Sequence, residues 1–297
     1  MSVNGSTLAR RALGRELRRL RTAKGMTQAE AARTGETSPQ SIGRIEEGQS
    51  TRVTNMMVNA LCDAFSASDV ERKTLLGLVQ EVRAARERGG GWWRAYADQI
   101  ATDFDHYLAL EESARRLTAW KVTIVPGLLQ TPEYRREIAW AESPDAPSDV
   151  IEKRIEWATR RQTRLEDPHF TLDVILSEAV LRDQVGGSAV MDRQLHHLAG
   201  VSELPNVSVR VVPFGARSIL GSYVGSFSLL EFPQLAQSKL AEPPIVYVEE
   251  YAGDLYLERE AEVERYRHAL REIDRVALDQ DKSRSLILAV AAKEYAA

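Results

Sequence analysis

Leu13, Leu17 and Leu20 recur at steps of four and three, which predicts a first helix with one apolar stripe. Six arginines between Arg10 and Arg21 crowd its other faces, and Lys24-Gly25 supplies the cation and the permissive residue that end it. Thr27-Gln28-Ala29-Glu30 reads as a capping box opening a short second helix with small alanines at 29, 31 and 32. A turn follows at Gly35-Glu36-Thr37. Ser38-Pro39 then starts a third helix, serine as N-cap and proline where no amide hydrogen is needed, and Gly48 closes it. Thr54 caps a fourth helix striped by Met57, Leu61 and Phe65. Ser68-Asp69-Val70-Glu71 is a second capping box, ahead of Leu75, Val79 and Val82 in a fifth. Gly89-Gly90-Gly91 breaks the pattern as a hinge or linker.

Beyond the glycines, Trp92-Trp93-Arg94-Ala95-Tyr96 is an aromatic knot that suits either a packing anchor or a ligand or partner surface formed by Trp92, Trp93 and Tyr96. Helical patterns are predicted around 104–118, from Pro132 to Trp140, and from about Ser148 to Leu165. Strand-like stretches follow at Phe170–Leu176, Val207–Val212, Ser226–Phe232 and Ile245–Glu249. A helix near Ala189–Leu204 separates the first two. A long amphipathic helix carries Val263, Tyr266, Leu270, Ile273 and Ala277, and a last helix begins near Ser283. The fold class expected is an all-α N-terminal helix-turn-helix domain of five helices plus a larger mixed α/β C-terminal domain. The expected boundaries are 1–68 for the first domain, 69–91 for a connecting helix and glycine linker, and 92–297 for a regulatory or partner-binding domain.

The formal net charge of the whole chain is −4, but it is unevenly spread. Residues 1–52 hold ten basic and five acidic residues, a net of +5, and the remainder nets −9. A basic head on an acidic body fits a phosphate-binding module fused to something else. At 297 residues and 43% apolar content, two buried cores are affordable. The single cysteine, Cys62, leaves no internal disulfide and sits in an apolar helical pattern. No secretory signal is visible and no apolar run reaches the roughly 18 residues of a membrane span, so a soluble, cytoplasmic protein is expected.

Within the third helix, Gln40, Ser41 and Arg44 share one polar sector while Ile42 and Ile45 point the other way. Such a helix, presented N-terminal end outward, offers an amide, a hydroxyl and a guanidinium to base edges in a major groove. Glutamine suits adenine and arginine suits guanine, each by two hydrogen bonds. The same pattern also describes an ordinary amphipathic surface helix. Catalytic constellations are weak: His196-His197 diverge on a helix, and Glu249-Glu250 face opposite ways on a strand. No phosphate loop, dinucleotide fingerprint or nucleophile elbow occurs, so neither an enzyme nor a cofactor or metal is expected.

The stretch Leu17–Gly48, with its "LR.LR...G.TQ.E.A" opening and "S...I.RIE.G" close, resembles the Cro/C1-type, or XRE, helix-turn-helix family. The resemblance implies a duplex-DNA-binding transcription regulator. It places Thr27 and Gln28 on a phosphate, Gln40, Ser41 and Arg44 on bases, and Arg52 on a neighbouring phosphate, with the capping Ser38 also among the DNA-binding residues. It also implies an internal pair between Arg21 and Glu46. Two positions depart from the pattern: Glu36-Thr37 stands where the family has a Gly-Val-like pair, and Pro39 fills a slot that often reads bases. Farther on, "GWWRAYADQI", "YLALEESARRL", "FTLDVILSEAVLR", "QLHHLAGVSELPNVSVRVVPF", Ile245–Glu250 and above all Val125-Pro126-Gly127-Leu128-Leu129-Gln130-Thr131 resemble the large domain of an actinobacterial XRE-type group. Membership there implies an antitoxin-like or developmental regulator, encoded beside a small cognate protein that it binds. A homodimer is expected on energetic grounds, since one recognition helix reads few base pairs.

Overall fold

A computed structural model describes residues 8–87, 102–216, 220–235, 238–250 and 253–295. The glycine run and Trp92, Trp93 and Tyr96 lie outside the described residues. The chain forms two compact units. The first gathers the N-terminal helices together with the distant segment Phe232–Pro243; the second holds Ala114–Glu231 and Pro244–Ala297.

The first unit contains helices α1 (Leu8–Ala23), α2 (Gln28–Thr34), α3 (Pro39–Glu46), α4 (Asn55–Phe65), α5 (Asp69–Glu87) and α6 (Thr102–Ser113). Leu13, Leu17 and Leu20 of α1 meet Ile42, Ile45, Val58, Leu61 and Phe65 in one core. That core also takes Leu75, Leu78 and Val79 from α5, so the helix read as a connector is part of the module. Cys62 is fully buried there, and burial pushes its thiol up. Gly14 lets α1 and the end of α3 touch backbone to backbone: a Cβ at that position would lie 2.1 Å from the Ile45 carbonyl oxygen. A mid-helix glycine costs roughly 1 kcal/mol against alanine, and the close approach is what it makes possible.

The two capping boxes form as the sequence pattern demands. Ser68 donates its amide and its hydroxyl to Glu71, each at 2.8 Å, and Arg19 of α1 reaches the other Glu71 oxygen at 2.8 Å. That guanidinium, followed by the Ser68 contacts, holds the Glu71 carboxyl down to about 2 from an ordinary 4.5. The unfolded chain therefore binds the proton first as pH falls. The stabilisation is complete above about 4.5 and drains away as pH drops toward about 2. In acid titrations followed by circular dichroism, Glu71→Gln is expected to flatten the pH dependence of stability across that window; an unchanged slope would show that this bridge between α1 and α5 carries no weight.

The second unit is built on one six-stranded sheet with order β3-β2-β1-β4-β5-β6. Its strands are β1 (Arg116–Lys121), β2 (Thr171–Ser177), β3 (Val207–Val212), β4 (Phe227–Glu231), β5 (Ile245–Glu250) and β6 (Gly253–Leu257). β1, β2 and β3 run parallel; β4, β5 and β6 join antiparallel. The β1–β2 crossover carries α7 (Pro132–Glu142) and α8 (Ser148–Arg161). Between β2 and β3 come α9 (Glu178–Arg182) and α10 (Ser188–Val201). The short α11 (Leu220–Val224) precedes β4, and α12 (Glu260–Val276) and α13 (Gln280–Val290) follow β6. One sheet face, with Trp120, Ile175, Phe227, Leu229, Val246 and Val248, packs under Val263, Leu270 and Ile273 of α12.

The sequence pattern is corrected at β1. The helix expected over 104–118 stops at Ser113, and Arg116–Lys121 is a central strand paired on both sides. β6 was not foreseen.

The motif Val125–Thr131 follows β1 and is locked by side-chain amides. Gln194 accepts from the Thr131 amide and donates to the Leu129 carbonyl, both at 2.7 Å, with no exposure of its own. Gln130 donates to the Val125 carbonyl at 2.7 Å, and Gln162 to the Gln130 carbonyl at 2.5 Å. The Tyr134 hydroxyl accepts from the Val125 amide at 3.3 Å, and burial pushes its pKa up to about 12. The most distinctive motif of the chain is thus a buried loop whose backbone groups are satisfied by amide side chains.

Candidate nucleic-acid interface

The interface is assembled from α2, the turn after it, and α3. Thr27 adopts extended backbone and closes its box with Glu30: the Glu30 amide reaches the Thr27 oxygen at 3.2 Å, and the Glu30 carboxylate takes the Thr27 amide at 2.7 Å. Those contacts hold the Glu30 carboxyl below its usual range, the Thr27 amide contributing most. α2 ends in a turn where Glu36 takes a left-handed φ of 49°, a position glycine fills without strain. Ser38 then caps α3 by accepting from the Ser41 amide at 3.1 Å, with Pro39 in the first helical slot. Gly48, at φ 70°, closes α3 as the Gln49 amide turns back to the Arg44 carbonyl at 2.8 Å.

Ile42 and Ile45 are buried on the inner side of α3, and Glu46 joins them. Arg21 of α1 grips Glu46 in bidentate fashion, Nε to Oε1 at 2.5 Å and Nη2 to Oε2 at 2.9 Å, and its remaining Nη1 donates to the Met26 carbonyl at 2.7 Å. The Glu46 hydrogen bonds raise the Arg21 pKa. Gln28 adds a third donor to the same carboxylate at 3.0 Å. Its amide lies over Gly43, in ordinary van der Waals contact with the position a Cβ would take. One buried carboxylate therefore ties α1, α2 and α3 into a fixed arrangement.

The outer side of α3 differs in character. The side chains of Gln40 and Arg44 are exposed and make no hydrogen bond or ion pair with another described residue. Arg52 is likewise exposed and unengaged, in the segment between Gly48 and Thr54. Ser41 is half-buried, its hydroxyl 2.9 Å from that of Ser38, so this pair shapes the helix start. Thr27 and Ser38 sit exposed at the first turns of α2 and α3, where unsatisfied backbone amides face solvent. Met56 stands 77% exposed in the first turn of α4, beside Asn55 and off the apolar stripe; the sequence reading passed over it because Met57 carries the period.

The basic surface is smaller than a count of arginines suggests. Glu242 takes Arg11 Nε at 3.1 Å, Arg15 Nη1 at 3.0 Å and Arg15 Nη2 at 3.2 Å. Arg19 is spent on Glu16 and Glu71, and Arg21 on Glu46. Glu242 arrives on the segment Phe232–Pro243, a small turn bridged at Gln234 and Ala241. Leu235 and Leu240 of that segment pack against the helical core, and the Ser238 amide donates to Glu81 at 2.9 Å. No pattern within residues 1–91 could have revealed this element, because Glu242 lies more than two hundred positions beyond Arg11 and Arg15.

Residues 12–75 match a family model described as a helix-turn-helix domain. Residues 104–289 match one described as a domain of unknown function (DUF5753). No curated protein and no solved structure matches the chain. Among the described residues no helix is long and apolar enough to cross a membrane.

Proposed function

We infer the function from two fixed points: the chain belongs to the family defined by the domain of unknown function DUF5753, and its N-terminal unit is a helix-turn-helix domain of a DNA-binding regulator. The finer reading is a Cro/C1-type transcription regulator of the actinobacterial antitoxin-like group, working as a homodimer on a two-half-site operator. Its second unit senses a small ligand or grips a small cognate protein, and it is a binding protein without catalysis. The observation that carries the DNA reading is the contrast across α3: isoleucines and Glu46 locked inside, Gln40 and Arg44 unengaged outside. Unengaged donors on a rigid helix start with no internal bond to break before meeting a base edge.

Arg44→Ala or Gln40→Ala is expected to cost about 1–3 kcal/mol of operator affinity and to relax specificity at one or two base pairs. Arg52→Ala should weaken all sequences alike and lower the salt slope by about 1. Fluorescence anisotropy against operator and scrambled duplexes, repeated over a salt series, reads both effects. Unchanged affinity and specificity for Arg44→Ala would show that another face meets the DNA. A chain that holds a small partner protein tightly while binding DNA only without sequence preference would favour the antitoxin-like reading.

A further inference from the structure

The carboxyl end of β1 is where the sheet order reverses. From β1 the chain leads to β2 and β3 on one side, and β4, β5 and β6 return on the other. Parallel β2 flanks β1 on one side and antiparallel β4 on the other, so the end of β1 lies beside the start of β4. Lys121 is the last residue of β1. Alternation puts Leu117, Ala119 and Lys121 on the face turned away from α12, since Trp120 faces α12.

Lys121 is enclosed by protein on most sides and keeps partial solvent access. Its ammonium makes no hydrogen bond or ion pair with any described residue. By register, Ser226, just ahead of β4, and Glu249 on β5 lie along the same row, placing the Glu249 backbone about 10 Å away, two strand spacings. Ser226 already accepts the Val122 amide at 3.1 Å. Arg161, at the end of α8, lies over the neighbouring loop: a Cβ on Gly127 would be 2.8 Å from its Nη1. Lys121 and the Arg161 guanidinium thus lie toward the same end of β1, and Glu249 is the acid that draws the Lys121 charge most strongly.

We propose that the carboxyl end of β1 binds a small organic anion, a carboxylate or a phosphate monoester, with the Lys121 ammonium as its principal contact. An enclosed ammonium lacking an acceptor is costly, and a bound anion supplies the missing partner. Desolvation lowers the Lys121 pKa against the opposing pull of Glu249, as expected for a charge awaiting its counter-ion. The proposal rests on the ligand-sensing reading of the second unit and is independent of how the first unit meets DNA.

Two measurements on the full chain test it. Lys121→Met keeps length and removes the charge; it is expected to raise the melting temperature in chloride buffer by about 3 °C. Limited acylation with acetic anhydride, mapped by mass spectrometry, is then run in sodium phosphate, sodium acetate and sodium chloride at matched ionic strength. Phosphate or acetate at about ten times its dissociation constant is expected to slow Lys121 acylation about tenfold. The exposed Lys153 and Lys282 should be unaffected. Protection by phosphate alone assigns a phosphate ester, and by acetate alone a carboxylic acid. Equal Lys121 acylation in all three salts, or a lower melting temperature for Lys121→Met, would overturn the site. Protection of Lys121 without any change of operator affinity would leave the site standing and remove the sensing role.

Discussion

Glu242→Ala is expected to cost the helix-turn-helix unit about 3 kcal/mol of stability, although residue 242 lies far from it in sequence. The carboxylate is completely inaccessible and takes three hydrogen bonds from Arg11 and Arg15. Removing it strips a counter-charge from two guanidiniums on α1, the more enclosed being Arg11 at 11% side-chain exposure. Arg15 keeps 38% exposure and is rehydrated cheaply, which puts the cost at the low end of the range for broken buried pairs. The loss also reaches the DNA-facing surface. Arg11 packs on Gly48, where a Cβ would meet its Cγ at 2.9 Å, and Gly48 closes the recognition helix. Urea unfolding, with hydrogen exchange at the α1 amides, measures the effect. Glu242→Gln, which keeps shape and part of the hydrogen bonding, should fall between wild type and alanine. Unchanged α1 exchange in Glu242→Ala would show that the segment merely rests on the helices. By the same reasoning a fragment ending at residue 113, which keeps α1 to α6 but lacks Glu242, Leu235 and Leu240, should unfold at lower urea than the same helices in the full chain.

What the sequence made legible follows the range of the forces involved. The starts of α2, α3 and α5 were readable because a cap is a contact across three residues, made by Thr27 with Glu30, by Ser38 with the Ser41 amide ahead of Pro39, and by Ser68 with Glu71. The inner and outer sides of α3 followed from helical periodicity alone. β1 was hidden because Arg116–Lys121 follows a helical stretch at once and owes its strand form to β2 and β4, which come 50 residues or more later. Two side chains that the resemblance placed on DNA also have partners inside the fold: the Ser41 hydroxyl lies against that of Ser38, and the Gln28 amide donates to Glu46. Residue type says what a side chain can bond, and only packing says which partner is nearest. The segment bearing Glu242 was beyond reach for the same reason.

The largest loss is expected at the carboxylate joining the three helices of the motif. Glu46→Ala should cost about 3–5 kcal/mol, a large share of the roughly 5–15 kcal/mol that holds a typical domain together. The cost arises from what is left behind. Arg21 is a buried guanidinium whose fork is filled by Glu46 on two nitrogens and by the Met26 carbonyl on the third. Without the carboxylate only the Met26 contact remains, and Gln28 loses its acceptor too. Arg21→Ala should cost a similar amount by orphaning the acid. The double replacement Arg21→Met with Glu46→Leu removes both charges and fills the space. It is therefore expected to recover most of the loss, because paired buried charges contribute little beyond a well-packed apolar pair. DNA binding separates orientation from stability. If the pair aims α3, the apolar double variant will fold well and still bind operator more weakly than wild type, since hydrogen-bond geometry fixes helix placement more narrowly than apolar packing does. Urea titrations of the two single variants and the double variant close the cycle, and operator titrations on the folded double variant read the aim. A Glu46→Ala cost below about 1 kcal/mol would mean that solvent reaches Arg21 and that the apolar core alone positions the recognition helix.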